Sequence, residues 1–327
     1  MRKTSTQWDG EASQHEAAIE VRDLRKIYAG GVEAIKGISF AVGRGEVFGL
    51  LGPNGAGKST TIGILTTTVA PTTGTASVAG HDVTRAPLAA RAASSVVFQD
   101  QVLDASLTGR RNLDIHARLW GGRRTSAARI DDMGAMLGVR DILERAVSTY
   151  SGGQRRRLEI ARALTSQPQV LFLDEPTVGL DPRIRAELID AIAGLRASEG
   201  MTILLTTHYL DEAERLCDRV GIMYAGTIVA LDTPQALLSA VGHEVIELRV
   251  RGDGTHALTT LRTKRIAGDD AFAIGGTLTI PMRNGDTPHA LSAIRDLDLG
   301  TTAISTRPPS LDDVYLRLTG DRIAAAA

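Results

Sequence analysis

Residues 52–59 of this 327-residue chain read Gly-Pro-Asn-Gly-Ala-Gly-Lys-Ser, a complete GxxxxGK[ST] loop. Gly52, Gly55 and Gly57 let the main chain curl closely around phosphate oxygens without Cβ clashes. Pro53, Asn54 and Ala56 fill the rest of the cradle. Lys58 can reach the β/γ oxygens of ATP, and the Ser59 hydroxyl can ligate Mg²⁺. The segment Glu46–Leu51 reads as a strand, and Thr60–Leu65 continues as a helix. The loop therefore sits at a helix N-terminus, where backbone N–H groups point at an anion.

A second group of residues suits the same chemistry. Val170–Leu173 is a four-residue apolar run of the kind found in buried parallel strands, followed at once by Asp174 and Glu175. Carboxylates at the C-terminal edge of such a strand face the ligand crevice of an open α/β sheet. Asp174 can hold Mg²⁺ beside Ser59, while Glu175 can polarise the water that attacks the γ-phosphate. A further apolar run, Ile203–Leu205, leads into Thr206-Thr207-His208. A histidine just beyond a core strand can reach the γ-phosphate and the attacking water.

The elements needed to position these groups alternate along the chain. Residues 1–17 read as a mobile polar tail, and mixed strand and helix run from about 18 to 232. Within this region, residues from about Leu107 to Val147 lack strand patterning. Leu113, Ala117 and Trp120, then Ile130, Met133 and Leu137, recur at helical spacing and predict a helical insert. After Asp232-Thr233-Pro234 the character changes. Ile246, Leu248 and Val250, then Leu278, Ile280 and Met282, alternate with other residues as in half-buried strands. Leu291, Ile294 and Leu297 predict a helix, 301–306 a strand, and Leu311, Val314, Tyr315 and Leu318 a last helix behind a Ser310-x-x-Asp313 capping signal. A small α/β domain is thus expected over 235–320.

Composition narrows the setting. With 37 basic and 38 acidic residues the chain has no global field to draw nucleic acid or an anionic membrane. The lone Cys217 excludes an intrachain disulfide, and the first 20 residues contain no secretory apolar core. No uncharged apolar run approaches the ~18–20 residues that span a bilayer. A cytoplasmic chain is expected, and any pore must belong to another polypeptide. The run Arg155-Arg156-Arg157 reads as a solvated, partly phosphate-facing stretch rather than a nucleic-acid patch. The remaining histidines show no metal-ligand spacing.

In this order the motifs resemble the nucleotide-binding subunit of an ATP-binding-cassette (ABC) transporter over about 18–232. The resemblance implies a P-loop NTPase α/β fold with a helical subdomain at about 107–165, ATP and Mg²⁺ as cofactors, and roles for further residues. Tyr28 would stack on adenine. Gln99, after Val96–Phe98, would be the Q-loop glutamine and join Ser59 and Asp174 at Mg²⁺, with Gln101 as its rival. Ser151, Gly152, Gly153 and Gln154 would form the signature, with Tyr150 standing where leucine is common. Asp181 would be the D-loop aspartate and His208 the switch histidine. In the family two subunits pair head to tail, so Ser151–Gln154 and Asp181 would contact the ATP of the opposite subunit.

The stretches 149–160 and 307–320 resemble the daunorubicin/doxorubicin-resistance subfamily of drug-export ATPases. That resemblance implies a separate multi-spanning ABC-2 type permease and a second nucleotide-binding subunit, a homodimer being expected. It also implies peripheral attachment at the cytoplasmic face of the membrane, and efflux of a drug-like or lipid-like molecule. The alternatives are a soluble ABC ATPase acting on ribosomes or DNA, or an importer ATPase with a C-terminal regulatory domain. No nucleic-acid partner is expected.

Overall fold

The computed structural model describes residues 17–100, 102–120, 127–283 and 287–320. The N-terminal tail up to residue 16, Gln101 and the last seven residues lie outside the described residues. The chain divides into two compact units, the first comprising residues up to Thr207 together with Met223–Ile228.

In chain order the first unit contains β1 (Ala17–Ile27), β2 (Glu33–Gly43), β3 (Val47–Leu51), α1 (Lys58–Leu65), β4 (Thr73–Val78) and β5 (His81–Asp82). It continues with α2 (Pro87–Ala93), β6 (Ser94–Val97), α3 (Gly109–Trp120), α4 (Ala127–Met136) and α5 (Gly152–Leu164). β7 (Val170–Asp174), α6 (Pro182–Glu199) and β8 (Thr202–Thr207) complete it. Strands β3, β8, β7 and β6 are neighbours in that order and run parallel. Every residue of β3, β7 and β8 is buried, as a sheet covered on both faces requires. An antiparallel sheet of order β2-β1-β4-β5 lies beside this core, and Phe40 of β2 stacks on Phe48 of β3 with ring centroids 5.2 Å apart.

Register decides where the chemistry sits. Leu51 is opposite Thr207, Leu173 is opposite both Leu205 and Val97, and Asp174 is opposite Thr206. The segments that follow β3, β6, β7 and β8 therefore all leave the sheet from one edge, the C-terminal one. This is where an open parallel sheet binds its ligand.

The helices expected within the insert form as α3, α4 and α5. Leu113, Ala117, Ile130, Met133 and Leu137 are buried between them. Trp120 is different: the i, i+4, i+7 spacing placed it on the same face, but its side chain is 63% exposed at the end of α3.

The second unit takes in His208–Ile222 and the chain from Val229 onward, starting ahead of the boundary expected near 232. Its elements run α7 (Leu210–Leu216), β9 (Arg219–Tyr224) as far as Ile222, β10 (Thr227–Asp232) from Val229, α8 (Pro234–Val241), β11 (Glu244–Val250) and α9 (Thr255–Thr263). The remainder are β12 (Phe272–Ile274), β13 (Thr277–Met282), α10 (Thr287–Arg295), β14 (Thr301–Arg307) and α11 (Leu311–Thr319). Strands β12, β13, β11 and β14 form an antiparallel sheet in that order. Ile246, Leu248, Leu278 and Ile280 point from it into a core closed by Leu258 and Leu261 of α9 and Ile294 of α10.

The last helix is capped as its sequence signals. The Ser310 backbone N–H donates to Asp313 Oδ2 at 2.9 Å, and Arg307 grips both oxygens of Asp313 at 2.7 and 2.8 Å. Leu311, Val314 and Tyr315 are buried, whereas Leu318, the fourth residue of the stripe, is 44% exposed. The buried face of α11 is used within its own unit. The Leu311 N–H donates to Glu214 Oε1 of α7 at 2.6 Å, and Arg317 Nη1 donates to the Ala240 carbonyl of α8 at 2.7 Å.

Candidate active site: a phosphate loop at the sheet edge

The phosphate loop is shaped by close backbone approach. Gly52 has φ +151°, and a Cβ there would overlap the Met223 carbonyl oxygen. At Gly57, φ +108°, a Cβ would lie 2.6 Å from the Ala34 carbonyl oxygen. Both positions reject an L side chain on two grounds, dihedral and space. Pro53 is half-buried, Ala56 and Gly57 are buried, and Asn54, Gly55 and Ser59 face solvent. Helix α1 opens at Lys58 directly behind Gly57, and its free N–H groups lie at the mouth of the loop.

Lys58 is only 5% exposed. Its ammonium donates to the carbonyls of Gly52 at 2.7 Å and Pro53 at 3.2 Å, and lies 3.1 Å from Glu175 Oε1. A buried ammonium aimed into a glycine cradle is suited to a polyanion.

Asp174 and Glu175 end β7 and are both buried. Thr206 of the neighbouring strand organises them. Its hydroxyl donates to Asp174 Oδ1 at 2.6 Å and accepts the Glu175 N–H at 3.0 Å. The same Asp174 oxygen accepts from the Ser59 hydroxyl at 3.3 Å. A hydroxyl and a carboxylate thus converge from α1 and β7, a pair of oxygen ligands able to hold a hard divalent cation. Glu175 has φ +48°, which bends the chain sharply where the strand ends. Such a conformation costs of order 1–3 kcal/mol in a residue with a side chain and is typical of functional sites.

The other expected residues fall into two groups. Tyr28 is exposed, with its hydroxyl 3.4 Å from Thr60 Oγ1 of α1 and the Lys26 ammonium 4.9 Å from its ring centroid. This sets an aromatic face next to the phosphate loop. Gln99 lies exposed two residues beyond β6, at the same sheet edge as Asp174. The expected strand Val96–Phe98 is shorter at its end and longer at its start, β6 spanning Ser94–Val97.

At the start of α5, Ser151 caps the helix by accepting the Gln154 N–H at 3.3 Å, and Gln154 Oε1 accepts the Ser151 N–H at 3.0 Å. This reciprocal box leaves Ser151 and Gly152 exposed at a helix N-terminus. Asp181 caps α6 by accepting the Ile184 N–H at 3.1 Å. Gly153 sits so close to Ile184 that a Cβ would overlap it, so the structure brings the Ser151–Gln154 turn and the Asp181 helix together. His208 is buried, follows Thr207 directly and packs its ring 4.1 Å from that of Tyr209.

Tyr150, the departure at the head of the signature, has its own place. The ring is 3% exposed, and its hydroxyl donates to the Ile142 carbonyl at 2.5 Å, over the bare Cα of Gly109. Burial raises its pKa, which keeps the phenol a donor.

Arg156 overturns the solvated reading of the arginine run. It is 6% exposed, and its guanidinium donates to main-chain carbonyls at the ends of two strands. Arg155 and Arg157 are half-buried, bonding the Ser148 carbonyl and pairing with Glu187 respectively. The sequence signal that could have marked Arg156 is Glu159 one turn later: an i, i+3 pair on the face shared with Ile160 and Ala163 is a pair that can be buried.

A strand, glycine loop and helix facing a carboxylate pair across a parallel sheet edge define a P-loop nucleoside triphosphatase. The comparisons agree. The family described as ABC transporter matches residues 35–178. The daunorubicin resistance ATP-binding protein DrrA3 of Streptomyces coeruleorubidus is 39% identical over 95% of this chain and 99% of its own length. The Nod factor export ATP-binding protein I of Ralstonia nicotianae is 38% identical, covering 92% of this chain and 94% of the relative. Among solved structures, cbiO1 from Clostridium perfringens, described as part of the ABC transporter complex cbiONQ, aligns with a TM-score of 0.64. It is 28% identical over 68% of this chain and 91% of its own. The chain belongs to the ATP-binding proteins of ABC transporters and is an ATPase of that class.

Proposed function

We propose that this ATPase hydrolyses Mg·ATP as one of two nucleotide-binding subunits that drive a separate multi-spanning ABC-2 type permease, exporting a drug-like or lipid-like compound. The observation that carries the reading is the length of the similarity to the drug-resistance protein, which extends through the C-terminal unit to 95% of the chain.

At the site, Gly52–Thr60 surrounds the phosphates, Lys58 meets the β/γ oxygens, and Tyr28 supports adenine. Ser59, Asp174 and Gln99 hold Mg²⁺; the shared Asp174 oxygen is the observation that fits a hard cation. The ion would neutralise charge on the phosphates. Glu175 orients and deprotonates the attacking water, and His208 senses the γ-phosphate. The solvent-facing Ser151–Gly152 turn and Asp181 suit contact with the ATP of a second subunit. ATP then closes the pair by linkage, and hydrolysis reopens it.

Among the described residues no helix is long and apolar enough to cross a membrane, and the permease of this reading is a separate chain. A cavity of about 480 Å³ beside Gln99, lined by Phe98, Val102, His116 and the exposed Trp120, offers an apolar surface for it. Attachment there is peripheral, at the cytoplasmic face.

The test is affinity purification of Glu175→Gln from detergent-solubilised native cells with Mg·ATP. Recovery of a multi-spanning membrane protein supports the export reading. Recovery of ribosomes or DNA-bound complexes overturns it.

A further inference from the structure

We propose that Arg156 is a positioning residue that ties the segment carrying Gln99 to the catalytic carboxylate; the proposal rests on the reading of Glu175 as the base. Nothing in the chemistry above uses this buried guanidinium. Its Nε donates to the Pro176 carbonyl at 2.8 Å, its Nη2 to those of Asp174 and Glu175 at 3.1 Å each, and its Nη1 to that of Phe98 at 2.5 Å.

The carbonyls of Asp174, Glu175 and Pro176 are consecutive and surround Glu175, whose backbone lies in the left-handed region and must be held there. The carbonyl of Phe98 immediately precedes Gln99. Glu159 sits 3.1 Å from Arg156 Nη1, and its other oxygen accepts the Val102 N–H at 3.0 Å. One ion pair on α5 therefore grips the chain on both sides of Gln99 and the turn that aims Glu175. A shift of the first is delivered to the second through a single rigid plane.

The residue type matters. A guanidinium presents five N–H donors in a fixed fork, whereas a lysine ammonium is a compact point donor on a flexible stem and cannot span the same carbonyls. Arg156 also starts from the helix whose N-terminus carries Ser151–Gln154. The signature turn, the Gln99 segment and the base thus share one anchor.

The test compares full-length wild type, Arg156→Lys, Glu175→Gln and the double variant for kcat, KM, nucleotide affinity and melting temperature. Arg156→Lys is expected to keep nucleotide affinity within about threefold while kcat falls on the order of 10–100-fold, the loss expected from a misplaced catalytic group. That loss should vanish in the Glu175→Gln background, because the arginine acts through that carboxylate. An unchanged kcat in Arg156→Lys, or the same loss in both backgrounds, overturns the proposal. If Arg156→Lys fails to fold, Glu159→Gln replaces it: it keeps an acceptor for Val102, removes the charge and meets the same two criteria. A Glu175→Gln single variant that turned over at the wild-type rate would reject the base assignment, and this inference with it. An inactive Glu175→Gln beside an unaffected Arg156→Lys rejects the inference alone.

Discussion

The ammonium of Lys58 and the carboxylate of Glu175 lie 3.1 Å apart, each about 5% exposed. The residue proposed to meet the phosphates and the residue proposed to activate water are therefore in direct contact, and one can be removed to measure the other. Glu175→Gln should bind ATP as wild type does and lose about 10²–10⁴-fold in kcat, the share usual for a general base. Lys58→Ala should weaken ATP binding by about 10–100-fold, the worth of a charge-assisted contact. Titration with a fluorescent ATP analogue and single-turnover phosphate release separate the two.

Gly57→Ala provides a steric counterpart. Its Cβ would stand 2.6 Å from the Ala34 carbonyl at a φ of +108°. We expect ATP binding to be lost. Gly55→Ala, with φ +80° but open space around it, should bear only the dihedral cost and retain measurable binding. Equal losses at the two positions would show that the close approach is unimportant.

The Tyr150 hydroxyl makes a different kind of prediction. Tyr150→Phe removes one buried hydrogen bond and leaves the Ile142 carbonyl without it, at a cost of about 1–2 kcal/mol by urea denaturation. Gly109→Ala should destabilise by about 1–3 kcal/mol through overpacking against the same ring. Neither change touches Ser151, so residual ATPase per folded molecule should be close to wild type.

His116 titrates in an accessible window. Burial, and then the positive charge of Arg162, push its imidazole down from 6.5 to about 4. The unfolded chain binds the proton more tightly, so the neutral ring's contribution is full above pH 6.5 and is lost as pH falls towards 4. His116→Gln should lack this increment. Melting temperatures of the two proteins between pH 7 and 4 should diverge, wild type falling faster, and parallel curves would reject the assignment.

How far the sequence could be read depended on whether a residue's role was local. The loop at 52–59, the strand before it and the acids at 174–175 are contiguous motifs, and the paired register of β3, β8 and β7 brings them to one edge as their spacing implied. Arg156 was misread because its partners, Phe98 and Pro176, are remote in sequence, and no helical period reports a bond to a distant carbonyl. Tyr150 likewise depends on Gly109 and Ile142. Trp120 carried the right spacing, but α3 ends there and, among the described residues, no element buries it. The composition break near 232 marks the last strand before the C-terminal sheet, whereas compactness groups residues 208–222 with that sheet through Glu214 and Leu311.

That last link sets a timetable for synthesis. Helix α7 begins two residues after His208, and its partner α11 lies about a hundred residues downstream. The unit that contains the histidine cannot close until about a hundred further residues have been synthesised. For that interval α7 lacks the bond from the Leu311 N–H to Glu214. A nascent chain stalled or cleaved before Leu311 would therefore carry an unfinished histidine segment, a species suited to chaperone capture rather than to turnover.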